Sequence, residues 1–520
     1  MAADNKALLK DFNERFSRAQ NDKSKVKPRH DDIYRLTMPH RHVQDGVSPQ
    51  DSLDEIFDST AINALADFAS DMLNAFTPPF TSEWVKIEPS GMLQLDPAEE
   101  RILEEQIAAY RRGLWQAIAE SNLSQAAREC YRDLAVGTMA MLIQDVHPSQ
   151  PIECTCVPVS DLYLDRGPGG RIDGRFRKFK VRASLVPIMW PGAELPASLA
   201  GKETEIDVTE GMWRDWKDRG TERWKFALVA GSNVLLSDDY EGEGSCPLIV
   251  CPWDVDATTA WGFGPLWNAL PDIKTVNKAV ELVLRNADKA VDPPFFYDDD
   301  GVIDLSQGIA AGDAIPKAPG SKVEALKTEA RFDVGYLQVE KLQHAIKRAL
   351  FQDKPEQMGL TPPTATQWLD QARETSRRMG APAGTIVTDW QFAIIRRFAY
   401  LLAKRGTLPK VKLGGHQGLV KLTPTSALIR SGEQEKGQRL RAVTAEVAQM
   451  FPQHALVILD AATYANTRAK QEDVSDTGVF RTPEQVQQMV QQMAGAAQAA
   501  GALPGGQQDQ QQGGAANGMG

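Results

Sequence analysis

The sequence predicts an α+β chain built from several lobes, and three observations carry that reading. Its 520 residues, at about 150 per domain, leave room for roughly three or four lobes. Apolar residues recur at three- and four-residue steps through the first third and again after Pro271, the spacing of helical faces. Between about Thr138 and Asp254 the period changes to two, the spacing of strands. Hydrophobic residues at 42% and charged residues at 24% are ordinary globular proportions, enough to bury cores. The net charge of −11 argues against a free-standing, high-affinity nucleic-acid binder, which is more often basic. No apolar run approaches the roughly 18 residues of a membrane span, and Met1-Ala2-Ala3-Asp4-Asn5-Lys6 carries no apolar core of a secretory signal. Five cysteines in so long a chain fit a reducing compartment better than a disulfide framework.

The elements follow in order. Ser52 and Glu55 form a capping box that predicts a helix start, followed by Leu53, Ile56, Phe57, Ala61, Ala64, Leu65, Phe68, Met72 and Phe76 on one face. Pro78-Pro79 ends it. Asp96-Pro97 opens a second helix with Ile102, Leu103, Ile107, Leu114 and Ile118 inward, and a third runs from about Ser124 towards Gly137. Arg175–Val181, Lys225–Val229, Asn233–Leu236 and Pro247–Trp253 read as strands of a mostly antiparallel sheet, separated by turns such as Gly167-Pro168-Gly169-Gly170. After Pro271, Ile273, Val276, Val280, Val283, Leu284, Ala287 and Val291 make one helical stripe that stops at Pro293-Pro294. A glycine-rich, short-strand segment from Phe295 to about Leu326 leads to a returning helix that ends near Gln352. Asp353–Thr364 carries three prolines and reads as a loop, since each proline removes a donor and biases its predecessor away from helix. A long helix fills Thr366–Arg405, with a kink expected at Gly380-Ala381-Pro382. Further helices are expected at about Gly432–Met450 and Pro483–Ala500, and the Gly501–Gly520 tail has too little apolar material to order itself.

Signatures of catalysis fail. There is no Gly-x4-Gly-Lys-Ser/Thr loop, no complete Gly-x-Gly-x-x-Gly, no Gly-x-Ser-x-Gly and no His-Glu-x-x-His. Cys154, Cys156, Cys246 and Cys251 could offer thiolates to zinc, but the knuckle spacing is absent and buried cysteine packs as a small hydrophobe. Asp298-Asp299-Asp300-Gly301 fails as a calcium loop, because the first and twelfth positions would be Phe296 and Gln307. His30, His40 and His42 lie beside Arg29 and Arg41, which would repel a metal, and read as surface residues. No metal or other cofactor is expected. Two basic stripes are more telling: Lys274, Lys278, Arg285 and Lys289 on the first helix flanking the glycine-rich segment, and Lys341, His344, Lys347 and Arg348 on the second. Two readings stay open, a solvated face salt-bridged to Glu281, Asp288 and Glu340, or a positive lining that meets phosphate.

The order of parts resembles the head-to-tail connector, or portal, proteins of short-tailed bacteriophages. Asp67–Trp84 is similar to that family's early helix ending in Thr-Pro-Pro before an aromatic. Trp261-Gly262-Phe263-Gly264-Pro265 and Asp272-Ile273-Lys274-Thr275-Val276-Asn277 resemble its Tyr-Gly-Arg-Gly-Pro and Asp-Ile-Lys-x-x-Asn stretches, and Gly406-Thr407-Leu408-Pro409 the end of its long helix. Trp261 and Phe263 stand where the family pattern has tyrosine and arginine, and Thr366-Gln367-Trp368 where a Thr-Glu-Val-type start is expected. The resemblance spans about Asp31 to Pro409.

It implies a portal-type subunit: a helical and α/β wing (1–267), a stem helix (268–292), a small β-containing clip (293–333), a second stem helix (334–352), a tunnel loop (353–365), a long helix returning to the wing (366–430), a helical crown (431–500) and a disordered tail (501–520). It implies a non-enzymatic homo-oligomeric ring of twelve subunits at one capsid vertex of the virion, assembled in the host cytoplasm. The ring would be the channel for packaging and ejection of double-stranded DNA, with the terminase motor, tail adaptor proteins, capsid and scaffolding proteins as partners and no membrane. By the same resemblance Lys354, Glu356, Gln357, Met358 and Gly359 line the channel at the tunnel loop. Asp298, Asp299 and Asp300 belong to the docking clip, and the basic stripes to the stem. An internal scaffold or core virion protein would share the size and charge but would not need this order of parts.

Overall fold

The computed structural model describes residues 2–41, 53–79, 83–89, 97–145, 152–196, 201–217, 221–256, 258–291, 295–298, 314–317, 332–353, 374, 377–408, 420–425, 427–450, 464–465, 467–468 and 489. The chain divides into two units, Met1–Ala427 and Leu428–Gly520. In the first, α1 (Ala2–Thr37) and α2 (Thr60–Phe76) precede strand β1 (Val85–Pro89), α3 (Pro97–Glu120) and α4 (Leu123–Val136). Strands β2 (Thr138–Gln144), β3 (Glu153–Cys156), β4 (Leu162–Arg166) and β5 (Ile172–Arg182) lead to a one-turn helix α5 (Val186–Met189). Then come β6 (Glu205–Arg214), β7 (Arg223–Ala230), β8 (Asn233–Glu241) and β9 (Leu248–Pro252). Helix α6 (Pro265–Val291), strands β10 (Phe295–Asp298) and β11 (Ala314–Lys317) and helix α7 (Phe332–Ala349) follow. Helical residues 377–385 pass through a π-helical turn, Ile386–Gln391, into α8 (Phe392–Arg405), and β12 (Val420–Pro424) closes the series. The second unit is described through α9 (Ala427–Met450) and short helical pieces.

The alternating segments form two antiparallel sheets, β4-β5-β6-β7-β8 and β3-β2-β9, while β1 pairs with β12 antiparallel and β10 with β11 parallel. Helix α1 lies on the five-stranded sheet. Phe12 enters where Gly211 has no side chain; a Cβ there would lie 2.5 Å from the Phe12 ring. Phe12, Phe176 and Trp213 then pack edge to face, a favourable geometry for ring quadrupoles. Arg18 clamps the buried Asp165 through two bonds of 3.1 and 2.8 Å, and the Trp213 indole donates to Asp11 at 2.9 Å. The five cysteines are free and buried.

Several boundaries differ from the sequence reading, each for a physical reason. Leu53 and Asp54 at the Ser52–Glu55 box are helical and the Ile56 N–H meets the Leu53 carbonyl at 3.0 Å, but the turn breaks where Asn277 of a distant helix takes the N–H groups of Phe57 and Asp58, and the long helix α2 starts at Thr60. The Thr60 N–H is met by Asp58 Oδ1 at 3.0 Å. Helix α6 starts at Pro265, where proline suits the first helical position, and Pro271 sits inside it at the expense of the bond to the Trp267 carbonyl. Helix α7 gives way at Ala349 to a turn. There Phe351 takes a left-handed φ of 60° and the Gln352 N–H reaches back to the Lys347 carbonyl at 2.7 Å, a Schellman closure. Residues 377–385 are helical through Gly380-Ala381-Pro382, where the kink is expected, and a π turn follows at Ile386–Gln391. Helix α9 starts at Ala427 rather than Gly432. Pro483–Ala500, apart from residue 489, and the Gly501–Gly520 tail lie outside the described residues.

Candidate functional site

The candidate site is the pair α6 and α7, with the part of the first unit that holds their bases. Three glycines make the anchor. Gly137, between α4 and β2, crosses Gly262 and Gly264 just before α6, backbone on backbone. A Cβ at Gly137 would lie 2.1 Å from the Gly262 carbonyl oxygen, and one at Gly264 would lie 2.2 Å from that of Ala135. Bonds from Gly264 N–H to Val136 O (3.1 Å), Trp253 N–H to Gly137 O (2.8 Å) and Gly262 N–H to Thr138 Oγ1 (2.9 Å) fix the crossing. This gives the Trp-Gly-Phe-Gly-Pro stretch its physical meaning. Only glycine lets backbones approach so closely. Trp261 is fully buried and meets His30 edge-on, and Phe263 meets Trp267.

The Asp-Ile-Lys-Thr-Val-Asn stretch works in the same way. Ile273 and Val276 are buried, and Lys274 forms an ion pair with Asp32 of α1. Asn277 accepts from the N–H groups of Phe57 (2.7 Å) and Asp58 (3.2 Å) and donates to the Glu55 carbonyl (2.8 Å). Gln343 of α7 donates to Asp58 at 2.6 Å, and Gln352, in the turn after it, to Asp71 at 2.9 Å. Arg378 donates to Asp353 at 2.7 Å and to the Arg348 carbonyl at 3.1 Å. Phe351 packs between Phe68 and Trp253 with the Arg378 guanidinium over its ring, contacts that hold its strained backbone.

The first basic stripe is largely paired within the chain. Lys278 donates to Glu281 at 2.8 Å and Arg285 lies 2.6 Å from the same carboxylate. The Lys278 hydrogen bond, then the Arg285 charge, hold Glu281 below the usual carboxylate range. Lys289 lies in α6. On α7, Lys341 and His344 are exposed, Lys347 is half-buried and Arg348 reaches Glu374 at 3.9 Å. Thus Lys274, Lys278 and Arg285 do come together, around Asp32 and Glu281. Asp298 ends β10, its backbone in register with Lys317. Asp299, Asp300, Lys354, Glu356, Gln357, Met358 and Gly359 lie outside the described residues.

Two buried clusters escaped sequence reasoning. Asp133, fully buried on α4, accepts from Tyr34 at 2.8 Å and from Arg41 at 2.8 Å, and Arg41 also reaches Cys156 at 3.1 Å. Burial pushes the Asp133 carboxyl up, and the Arg41 guanidinium pulls it back. The second corrects the surface reading of His30, which is 4% exposed between Trp261 and Trp267. Burial, then the Lys23 charge, lower it to about 4. Burial also lowers Lys23, which donates to the Ser160 carbonyl, to about 7. His40 is exposed as expected, and His42 lies outside the described residues. Among the described residues no group of three or more His, Cys, Asp or Glu could hold a metal ion, and no helix is long and apolar enough to cross a membrane.

The polar clusters described above join elements far apart in sequence. The chain belongs to the bacteriophage head-to-tail connecting protein family, whose model matches residues 9–476. That membership makes it a connector-type component of the phage particle. Among solved structures, a chain of the virion of a native gene transfer agent particle is similar at 11% identity, over 74% of this chain and 94% of that one, with a TM-score of 0.32. A chain from the neck of an empty gene transfer agent particle, computed with C6 symmetry, is similar at 12% identity, over 72% and 90%, with a TM-score of 0.22. No curated protein matches the sequence.

Proposed function

We propose that the chain forms a closed ring, a dodecamer, at one capsid vertex. The ring is the channel for genome packaging and ejection and the dock for motor and tail, without catalytic turnover of its own. Beyond family membership, one observation carries this reading. The apolar stripe of α6 is covered at Ile273 and Val276, but Leu284 further along the same stripe is 48% exposed, and Leu282 on the opposite face of the helix is 49% exposed. An apolar stripe that outruns its cover within the chain calls for cover from a neighbour, and helices packed side by side around an axis supply it. In this arrangement α6 and α7 are the stem, residues 293–333 the clip with Asp298, Asp299 and Asp300 as docking surface, and Lys354–Gly359 the channel-facing loop.

The charge pattern supports a channel that lets DNA slide. Each phosphate neutralised adds salt-dependent affinity, so a heavily basic lining would brake movement. Here Asp32 and Glu281 already occupy Lys274, Lys278 and Arg285. Native mass spectrometry of purified protein tests the reading: twelve-subunit particles with a central hole in negative-stain images are expected, and only monomers and dimers would overturn it.

A further inference from the structure

The five-stranded sheet ends in two edges of opposite charge. At one edge β5 outruns β4: Leu162 pairs with Arg177, and the Asp161 carbonyl accepts the Lys178 N–H at 2.8 Å. Beyond that point Phe179–Arg182 pair only with β6 among the described residues. This edge opens onto a cleft of about 820 Å³ between α1 and the sheet, lined by Lys27, His30, Tyr163, Lys178 and Lys180 among others. Lys27 is paired with Asp31 at 2.9 Å. Lys178 and Lys180 make no ion pair among the described residues, although Asp207 faces Lys180 across the β5–β6 register. Neither ring nitrogen of His30 has a hydrogen-bond partner among the described residues.

At the opposite edge, β8 ends in Asp238, Asp239 and Glu241, all exposed, with Glu243 in the turn that follows. The Glu194 N–H covers the Leu235 carbonyl at 2.8 Å, which leaves Ser237–Glu241 without a second partner strand among the described residues. Glu241 is engaged by Arg223 at 3.0 Å and Glu243 by Arg396 at 2.7 Å, whereas Asp238 and Asp239 make no ion pair among the described residues.

We propose that the acidic β8 edge of one subunit docks against the basic β5 edge and its cleft in a second copy of this chain. Charge complementarity names the partner, and the topology fixes the symmetry. The two patches lie on opposite edges of one sheet, so each subunit offers one patch to each neighbour, the head-to-tail contact that closes rings. A two-fold contact at either edge would set like charge against like. Strand edges also carry unpaired N–H and C=O groups that an incoming strand satisfies. The proposal rests on the ring reading above.

Charge reversal in pairs tests it. Lys178→Glu with Lys180→Glu makes both patches of a subunit acidic, and Asp238→Lys with Asp239→Lys makes both basic. Each variant alone is expected to lose rings at low salt, by about tenfold or more in association at each contact. An equimolar mixture is expected to recover rings in which the two variants alternate, read by native mass spectrometry with one variant carrying a mass tag. Rings from either variant alone at wild-type yield, or a mixture of folded variants that stays monomeric, would overturn the contact while leaving the ring intact as a reading. Wild-type protein that never forms rings would overturn both. Should a reversal unfold the lobe by circular dichroism, Lys178→Gln with Lys180→Gln replaces it. That variant is expected to lose the salt dependence of ring yield, and an unchanged salt dependence refutes the contact.

Discussion

Replacing His30 by phenylalanine should remove a defined part of the acid sensitivity of the fold. His30 sits between Trp261 and Trp267, 4% exposed, with no hydrogen-bond partner for either ring nitrogen among the described residues. In the folded chain it stays neutral until about pH 4, whereas its ordinary value is 6.5. The unfolded chain therefore takes up a proton on this residue as pH falls through 6.5, and the folded chain does not until about 4. Stability is unaffected above 6.5, declines between 6.5 and 4, and is flat again below. The displacement corresponds to about 3 kcal/mol. Lys23 and Asp31 act on His30 directly, and Lys27, Arg41, Asp161, Arg177, Lys178, Lys180 and Asp207 line the same cleft. They remain in the variant, so their titrations largely cancel in the difference. Phenylalanine keeps the edge-to-face packing and abolishes two unsatisfied polar atoms, so near pH 7 the variant should match or exceed the wild type by roughly 1 kcal/mol. Denaturant unfolding followed by tryptophan fluorescence at half-unit steps from pH 4 to 8 measures both curves. A wild-type-minus-variant difference that does not change between pH 7 and pH 4.5 would refute the reasoning.

Two further outcomes are expected. Asp133→Ala leaves the largely buried Arg41 guanidinium with only the Glu129 carboxylate at 3.6 Å and the Tyr34 hydroxyl without its acceptor, which should cost about 3 kcal/mol, read as a fall in the denaturant midpoint. Gly264→Ala drives a Cβ to 2.2 Å from the Ala135 carbonyl, where backbone cannot yield, so a loss above about 4 kcal/mol or no soluble protein is expected. A thermal midpoint within a few degrees of wild type would show that the crossing can relax.

The β region was legible because its pattern is local. Alternation along Arg175–Val181 and Lys225–Val229 marks strands whichever neighbours they find, and β5 and β7 stand there. Helix α1 was not legible, although it is 36 residues long. Its buried stripe runs Phe12, Ala19, Lys23, Val26, His30, Ile33, and the lysine and the histidine break the apolar spacing a reader counts. Those two polar side chains on the buried stripe are what hide the helix. The box at Ser52 and Glu55 misled for the converse reason. Leu53 and Asp54 are helical there, but Asn277, 222 residues away from Glu55, claims the backbone that follows, so the expected continuous helix breaks before Thr60. Long-range polar partners of this kind leave no periodicity. The basic stripes were visible as stripes, while Asp32, the partner of Lys274, could not be chosen from sequence among so many acidic residues.

In the channel proposed above, an acidic subunit meets DNA only through cations that its own carboxylates leave free. Formal charge counts every lysine and arginine of α6 as available to phosphate, but availability depends on what each already holds. Lys278 and Arg285 share one carboxylate, Glu281, itself kept ionised by them. For DNA to recruit either side chain, it must compete with an attached counter-charge that, unlike a mobile ion, gains no entropy on release. Counterion release drives protein–DNA affinity, so an intramolecular carboxylate lowers affinity and flattens its salt dependence at once. Exposed Lys341 on α7 has no such partner among the described residues, and there a phosphate contact would carry the usual salt slope. In the ring proposed above, a stem built this way would have few places where DNA is held and many where it is merely not repelled, as movement in both directions would demand.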